Sequence, residues 1–206
     1  MGRFALGLAL TGQLALFGPM GARAEQSVDV AAARAVVEDT VLKVLAVLKN
    51  GELAREEKRA GIEKIAYGRF DFYTMSRLVL AKYWKRFTPE ERREFATEFK
   101  TFLAQEYGRR LDDYENQDVA VLGVKPEARG DVTVLTRIVD GKFDDAAVNY
   151  RMREKDGEWY VIDVVIEGIS LVANWRDQFR EVLRGKDGPQ KLLAQLRAKN
   201  HARAEG

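Results

Sequence analysis

At Tyr114 the spacing of apolar residues changes from the 3.6 period of a helix to the 2 of a strand, and this switch sorts the chain into helices first and sheet second. After it, Val119 to Val124, Val132 to Val139, Ala147 to Arg153 and Trp159 to Ile166 read as four strands. Short turns containing Gly130, Gly141 and Gly157 join them into an antiparallel meander. The third strand alternates, with Val148, Tyr150 and Met152 on one face and Asn149, Arg151 and Arg153 on the other, so one side of the sheet meets apolar material and one meets water. The fourth is apolar on both faces except at Asp163, which predicts a central position.

Helices bracket this block. From Ser27 to about Lys49, Val37, Val41, Val44 and Leu48 recur at helical spacing, with Val36, Leu45 and Val47 widening the stripe and Gly51 ending it. A charged second helix runs from Glu52 to about Tyr67, and a third begins at Asp71, an N-cap residue type. Thr88-Pro89-Glu90-Glu91 signs the next start: Thr88 as cap, Pro89 at the first helical position, Glu91 closing a capping box. Behind it Phe95, Phe99, Phe102, Leu103, Tyr107, Leu111 and Tyr114 share one broad face. Plain core accounts for such a stripe, and so does the wall of a ligand cavity. Ser170 caps a helix carrying Leu171, Trp175, Phe179 and Val182 inward, and a last helix runs from Pro189 to about Lys199. The class expected is α+β: a twisted four-stranded antiparallel sheet with helices on one face closing an apolar pocket, in one domain spanning 25–200 with a charged tail at 201–206.

Residues 1–24 read as a secretory signal: Arg3, an apolar run from Phe4 to Phe17, a Gly18-Pro19 break and Ala22-Arg23-Ala24 as the cleavage site. The run falls short of the roughly 20 apolar residues that cross a bilayer. Export with cleavage after Ala24 is therefore expected, and without a cysteine there is neither a lipidation site nor a disulfide. The chain has 34 basic and 32 acidic residues. Cleavage removes Arg3 and Arg23 and no acid, which leaves a neutral protein with no electrostatic case for nucleic acid.

Chemistry is scarce. The one histidine, His201, stands near the C-terminus, which leaves no histidine-based nucleophile or metal cluster. Asp163 and Glu167, four apart, are the best acid pair; the structural alternative is that both accept hydrogen bonds and fix the turn before Ser170. No Gly-rich phosphate loop stands between a strand and a helix. Lys82, Lys85, Arg86, Arg92 and Arg93 gather around Trp84, and Arg151 and Arg153 line a strand: solvated surface, or a head-group or partner contact. No catalytic residue, metal or cofactor is expected.

The stretch Asp71-Phe72-x-x-Met75-Ser76-Arg77-x-x-Leu80-x-x-Tyr83-Trp84-x-x-x-Thr88-Pro89-Glu90, followed by Phe95, Phe99, Leu103 and Tyr107, resembles the MlaC (toluene-tolerance) family of periplasmic phospholipid-binding proteins. So do Tyr150-Arg151-Met152-Arg153, Gly157-x-Trp159, Asp163-Val164-Val165-x-Glu167-Gly168-Ile169-Ser170-Leu171-Val172 and Asn174-x-Arg176-x-x-Phe179. The resemblance implies a cone related to nuclear-transport-factor-2-like folds. It also implies a lipid carrier in the periplasm that shuttles between an outer-membrane lipoprotein complex and an inner-membrane ABC lipid-transport complex, maintaining outer-membrane lipid asymmetry; a monomer is the default expectation for a soluble shuttle. One branch of the family is associated with hopanoids, so the lipid is a phospholipid or a hopanoid. Because they are apolar and sit on faces that should converge, Phe72, Met75, Leu78, Phe99, Leu103, Val148, Tyr150, Met152, Val165 and Ile169 are expected to line the pocket, with Ile169 roofing the lipid tails. Two rivals stand beside the carrier. An enzyme on the same cone requires a polar cluster at the cavity floor, and an envelope adaptor that binds no lipid would have its aromatic stripe filled by its own side chains.

Overall fold

Four of the helices begin where a side chain is placed to hold an unpaired N–H group. In the computed structural model, which describes residues 29–141 and 143–204, Asp29 accepts from the Ala32 N–H at 3.0 Å and starts α1 (Val30–Lys49). The expected export signal lies outside the described residues. The Glu57 carboxylate accepts from the Ala54 N–H (2.8 Å) at the head of α2 (Arg55–Arg69). Asp71 takes the Thr74 N–H and hydroxyl at the head of α3 (Phe72–Leu80). At α4 (Pro89–Gly108) the capping box forms as read: Thr88 N–H donates to Glu91 at 2.8 Å, and Glu91 N–H donates to the Thr88 hydroxyl at 3.2 Å. Ser170 Oγ accepts from the Ala173 N–H and opens α5 (Leu171–Arg184), and α6 (Gly188–Ala204) follows.

Between α4 and α5 lie β1 (Asp118–Pro126), β2 (Val132–Val139), β3 (Val148–Lys155), β4 (Glu158–Ile166) and β5 (Ile169–Ser170), antiparallel neighbours in chain order. The sheet thus has five strands, not four. Ile166 pairs with Ile169 across Glu167-Gly168, both at positive φ (48° and 79°), so what reads as a turn into a helix is a hairpin with a two-residue second arm. Asp156-Gly157, at φ 55° and 82°, makes the same primed turn between β3 and β4.

β4 is not central. Beyond the short β5, its outer edge meets Phe70, which bridges Val161 in parallel while the Asp71 N–H donates to the Val161 carbonyl at 3.0 Å. Its apolar character has another cause: both its faces are covered, and Val161, Ile162, Asp163 and Val164 are all buried. Between Arg151 and Met152 the register with β3 slips by one residue, so that Arg151 faces Asp163 while Met152 faces Val161 and Ile162 is the bulge.

Two hydrophobic cores result. In one, Phe95, Phe99 and Phe102 of α4 meet Trp175 and Phe179 of α5, with Met75 and Val79 of α3 and Leu192, Leu193 and Leu196 of α6. Phe102 stands edge-on to Trp175 (centroids 4.7 Å) and Phe95 stacks on Phe99 (5.5 Å). In the other, Ala33 and Val37 of α1 lie against Val132, Val134, Met152, Trp159, Val161 and Val164 of the sheet. The expected tail continues α6: the helix runs to Ala204, Arg203 pairs with Glu106 of α4, and its guanidinium lies 5.1 Å over the Phe102 ring.

Candidate functional site

α1 buries Ala33 and Val37 against the sheet. Farther along, helix and sheet part, and an apolar cavity of about 480 Å³ opens between them, within the roughly 300–1,000 Å³ typical of small-molecule sites. One wall is the valine stripe of α1, Val36, Val37, Val41, Val44, Leu45 and Leu48; α2 adds Ile62, Ile65 and Ala66. The sheet supplies Val119, Ile138, Val148, Tyr150, Val161, Val164 and Ile166. Leu103, Ala104 and Tyr107 of α4 and Leu111, Tyr114 and Gln117 beyond it close the far side.

The aromatic stripe of α4 therefore divides between bundle core and cavity wall. Its first half, Phe95, Phe99 and Phe102, is buried bundle core. Its continuation, Leu103, Tyr107, Leu111 and Tyr114, turns to the cavity. The changeover is marked by Trp175, whose indole N–H donates to the Tyr107 hydroxyl at 3.3 Å.

Of the ten residues expected at the pocket, Phe72, Met75, Leu103, Val148 and Tyr150 border it. The other five stand elsewhere. Phe99 is bundle core and Leu78 packs against that core. Met152, on the same strand face as Val148 and Tyr150, lies where α1 already covers the sheet. Val165 misses because the bulge at Ile162 reverses the alternation of β4, turning Val164 and Ile166 inward in its place. Ile169 is 63% exposed in the β4–β5 hairpin and does not border the cavity. The wall contributed by α1 and α2 was missed, although the valine stripe was visible; valine is an uncommon choice for a helix unless its branched face has something to pack on.

Polar groups are few beside the apolar ones. Tyr67 donates to Glu63 at 3.4 Å beneath the Lys100 ammonium, 4.3 Å from its ring. Burial, with the Glu63 charge adding to it, raises the Tyr67 hydroxyl above its ordinary pKa. Tyr150 is raised by burial alone. The acid pair weighed above is engaged structurally: fully buried Asp163 accepts from the Ser170 hydroxyl (2.5 Å) and the Val172 N–H (3.0 Å), with Arg151 at 3.6 Å, and Glu167 accepts from the Ala147 N–H. The basic residues around Trp84 are also largely spoken for. Arg86 donates to the carbonyls of Leu183, Gly185 and Lys186, and Arg92 donates to the Trp84 carbonyl with its guanidinium 5.1 Å over that ring. Among the described residues no cluster of His, Cys, Asp and Glu is placed to hold a metal.

The model of the family described as MlaC protein matches residues 38–198. The chain belongs to the MlaC family. Toluene tolerance protein ttg2D of Pseudomonas putida is 30% identical over 107 residues, 52% of this chain and 50% of that protein. The intermembrane phospholipid transport system binding protein MlaC of Haemophilus influenzae is 28% identical over 105 residues, 47% of this chain and 49% of that one. The chain thus aligns with about half the length of each relative. A phospholipid-binding protein from Ralstonia solanacearum, solved in complex with a phospholipid, superposes with a TM-score of 0.74 at 25% identity, covering 84% of this chain and 98% of that one.

Proposed function

We propose that this MlaC-family protein is a periplasmic carrier that takes the acyl chains of a phospholipid into the cavity between α1, α2 and the sheet. The observation that carries this reading is the near-continuous apolar lining of a 480 Å³ space in a chain whose structural neighbour was solved with a phospholipid. Two acyl chains bring about 30 methylenes, and at roughly 0.8 kcal/mol each their exposure to water costs on the order of 25 kcal/mol. A lipid crossing an aqueous compartment needs that surface hidden, and the cavity walls offer it.

The same surface is equally hidden in a bilayer, so the carrier has only to match the membrane. Net direction then comes from partners, an outer-membrane lipoprotein complex on one side and an inner-membrane ABC complex on the other, and the protein itself performs no chemistry. Asp163 and Glu167 are committed to hydrogen bonds of the hairpin and the start of α5 and neither borders the cavity, which supports binding over catalysis.

Native mass spectrometry of the protein purified from its own envelope, followed by lipid extraction, tests this. A phospholipid in near-stoichiometric amount is expected. A hopanoid would move the assignment to that ligand, and a protein that carries no lipid and takes none from vesicles would leave the adaptor reading.

A further inference from the structure

The acyl-chain cavity has a neighbour of opposite character. Across a shared wall of Leu48, Leu111 and Tyr114 lies a second pocket of about 240 Å³, lined by Arg55, Lys58, Arg59 and Asp112. Three cations face one carboxylate there, and that carboxylate is already paired with Arg59. Lys58 spends one of its three N–H donors on the Leu48 carbonyl at 2.8 Å. The arginine Nε of Arg59, buried at the pocket wall, finds no hydrogen-bond partner among the described residues. Neither does the hydroxyl of Tyr114, which borders both spaces. Gln117, buried at the same end of the main cavity, spends its carbonyl on the Glu115 N–H and leaves its amide nitrogen unpartnered. Buried donors left unmade cost free energy, and a set of them beside uncompensated positive charge is what an anionic oxygen ligand satisfies.

We propose that this pocket is the head-group subsite: a phosphate group held by Arg55, Lys58 and Arg59, with the Tyr114 hydroxyl at the junction and Gln117 toward the ester region of the chains. This rests on the carrier reading of the main cavity and extends it, because it makes selection depend on the phosphate and not on the tails alone. Charge-assisted hydrogen bonds from Arg and Lys are the strongest that a protein without a bound metal has available for a phosphate. The phosphate could equally arrive free as inorganic anion, so the experiment separates the two sources.

The protein, stripped of lipid, is equilibrated with vesicles containing equal phosphatidylglycerol and diacylglycerol, which share tails and differ in the phosphate head, and the bound lipids are quantified. Wild type is expected to favour phosphatidylglycerol. The double variant R55Q/K58Q, which keeps the Arg59–Asp112 pair, is expected to lose that preference by at least about tenfold, the weakening of two charge-assisted hydrogen bonds. Arg55 and Lys58 lie in the first turns of α2, the one exposed and the other half-buried, and unchanged far-UV circular dichroism checks that the variant folds. If wild type binds lipid without preference, or the variant keeps it, the subsite is overturned and the carrier reading stands. If wild type binds no lipid, the carrier reading fails and the lipid head group with it. Phosphorus NMR with inorganic phosphate then decides the pocket: binding lost in R55Q/K58Q keeps the phosphate site with free anion as its source, and no binding ends it.

Discussion

Tyr150 shows how one side chain serves both wall and fold. Its ring borders the cavity on the inward face of β3, and burial raises its hydroxyl pKa above the ordinary value near 10. The folded state therefore holds the phenolic proton more tightly than the unfolded chain does. The stabilisation this gives is fully present below the unfolded pKa and is lost as pH rises from there toward the folded one, with a slope of at most about 1.4 kcal/mol per pH unit. Tyr150→Phe should leave urea stability at pH 8 within about 1 kcal/mol of wild type, and should lessen the fall above pH 10. Tyr67, also raised by burial, titrates in both proteins and cancels from the comparison. Equal alkaline losses in the two would show that the hydroxyl reaches water in the folded state. Tyr150 was legible from the alternation of its strand because nothing interrupts β3 between it and Val148. Val165 was not, because a one-residue bulge leaves no mark in a run that is apolar on both faces.

At the scale of elements, the sequence signals that proved sufficient were those where backbone chemistry and side chain agree locally: the Thr88 capping box, the Asp71 and Ser170 caps, the Asp156-Gly157 turn. What escaped was decided by packing at a distance. Whether an apolar face of α4 meets α5 or empty space depends on where Trp175 falls, and a helical period carries no such information. The same holds for Ile169, whose apolar side chain in a turn suggested a roof over the tails. Ile169→Glu, on an exposed hairpin, should cost less than about 0.5 kcal/mol and leave the co-purifying lipid unchanged. Val41→Glu, on the half-buried cavity face of α1, should put a charge among the tails and remove most of the lipid, at a stability cost of about 1–2 kcal/mol. Lipid extraction from the two purified variants checks the pair together. The reverse outcome, lipid lost with Ile169→Glu and kept with Val41→Glu, would return the site to the hairpin and away from α1.

The whole molecule is built with unequal firmness, and the inequality follows the cavity. α4 anchors the bundle with four buried side chains, whereas α2 has none: Ile62, Ile65 and Ala66 face the empty volume and gain little packing from the protein. Regions with few buried apolar contacts open at low free energy. A ligand that fills the volume and binds only the folded state supplies the missing contacts and stabilises by mass action, about 2.7 kcal/mol at a free concentration one hundred times its Kd. Amide hydrogen exchange of the lipid-free protein should therefore be fast along α2, intermediate along the second half of α1 and slow along the buried part of α4. Loading with phospholipid should slow α2 by at least about tenfold, equivalent to roughly 1.4 kcal/mol of local opening free energy, with little change in α4. Protection of α2 that already matches α4 without lipid would mean that the cavity is closed by the protein's own contacts. Slowing confined to the residues around Arg55 and Lys58, with Ile62 to Ala66 unaffected, would place the lipid's phosphate on the protein and its tails outside it.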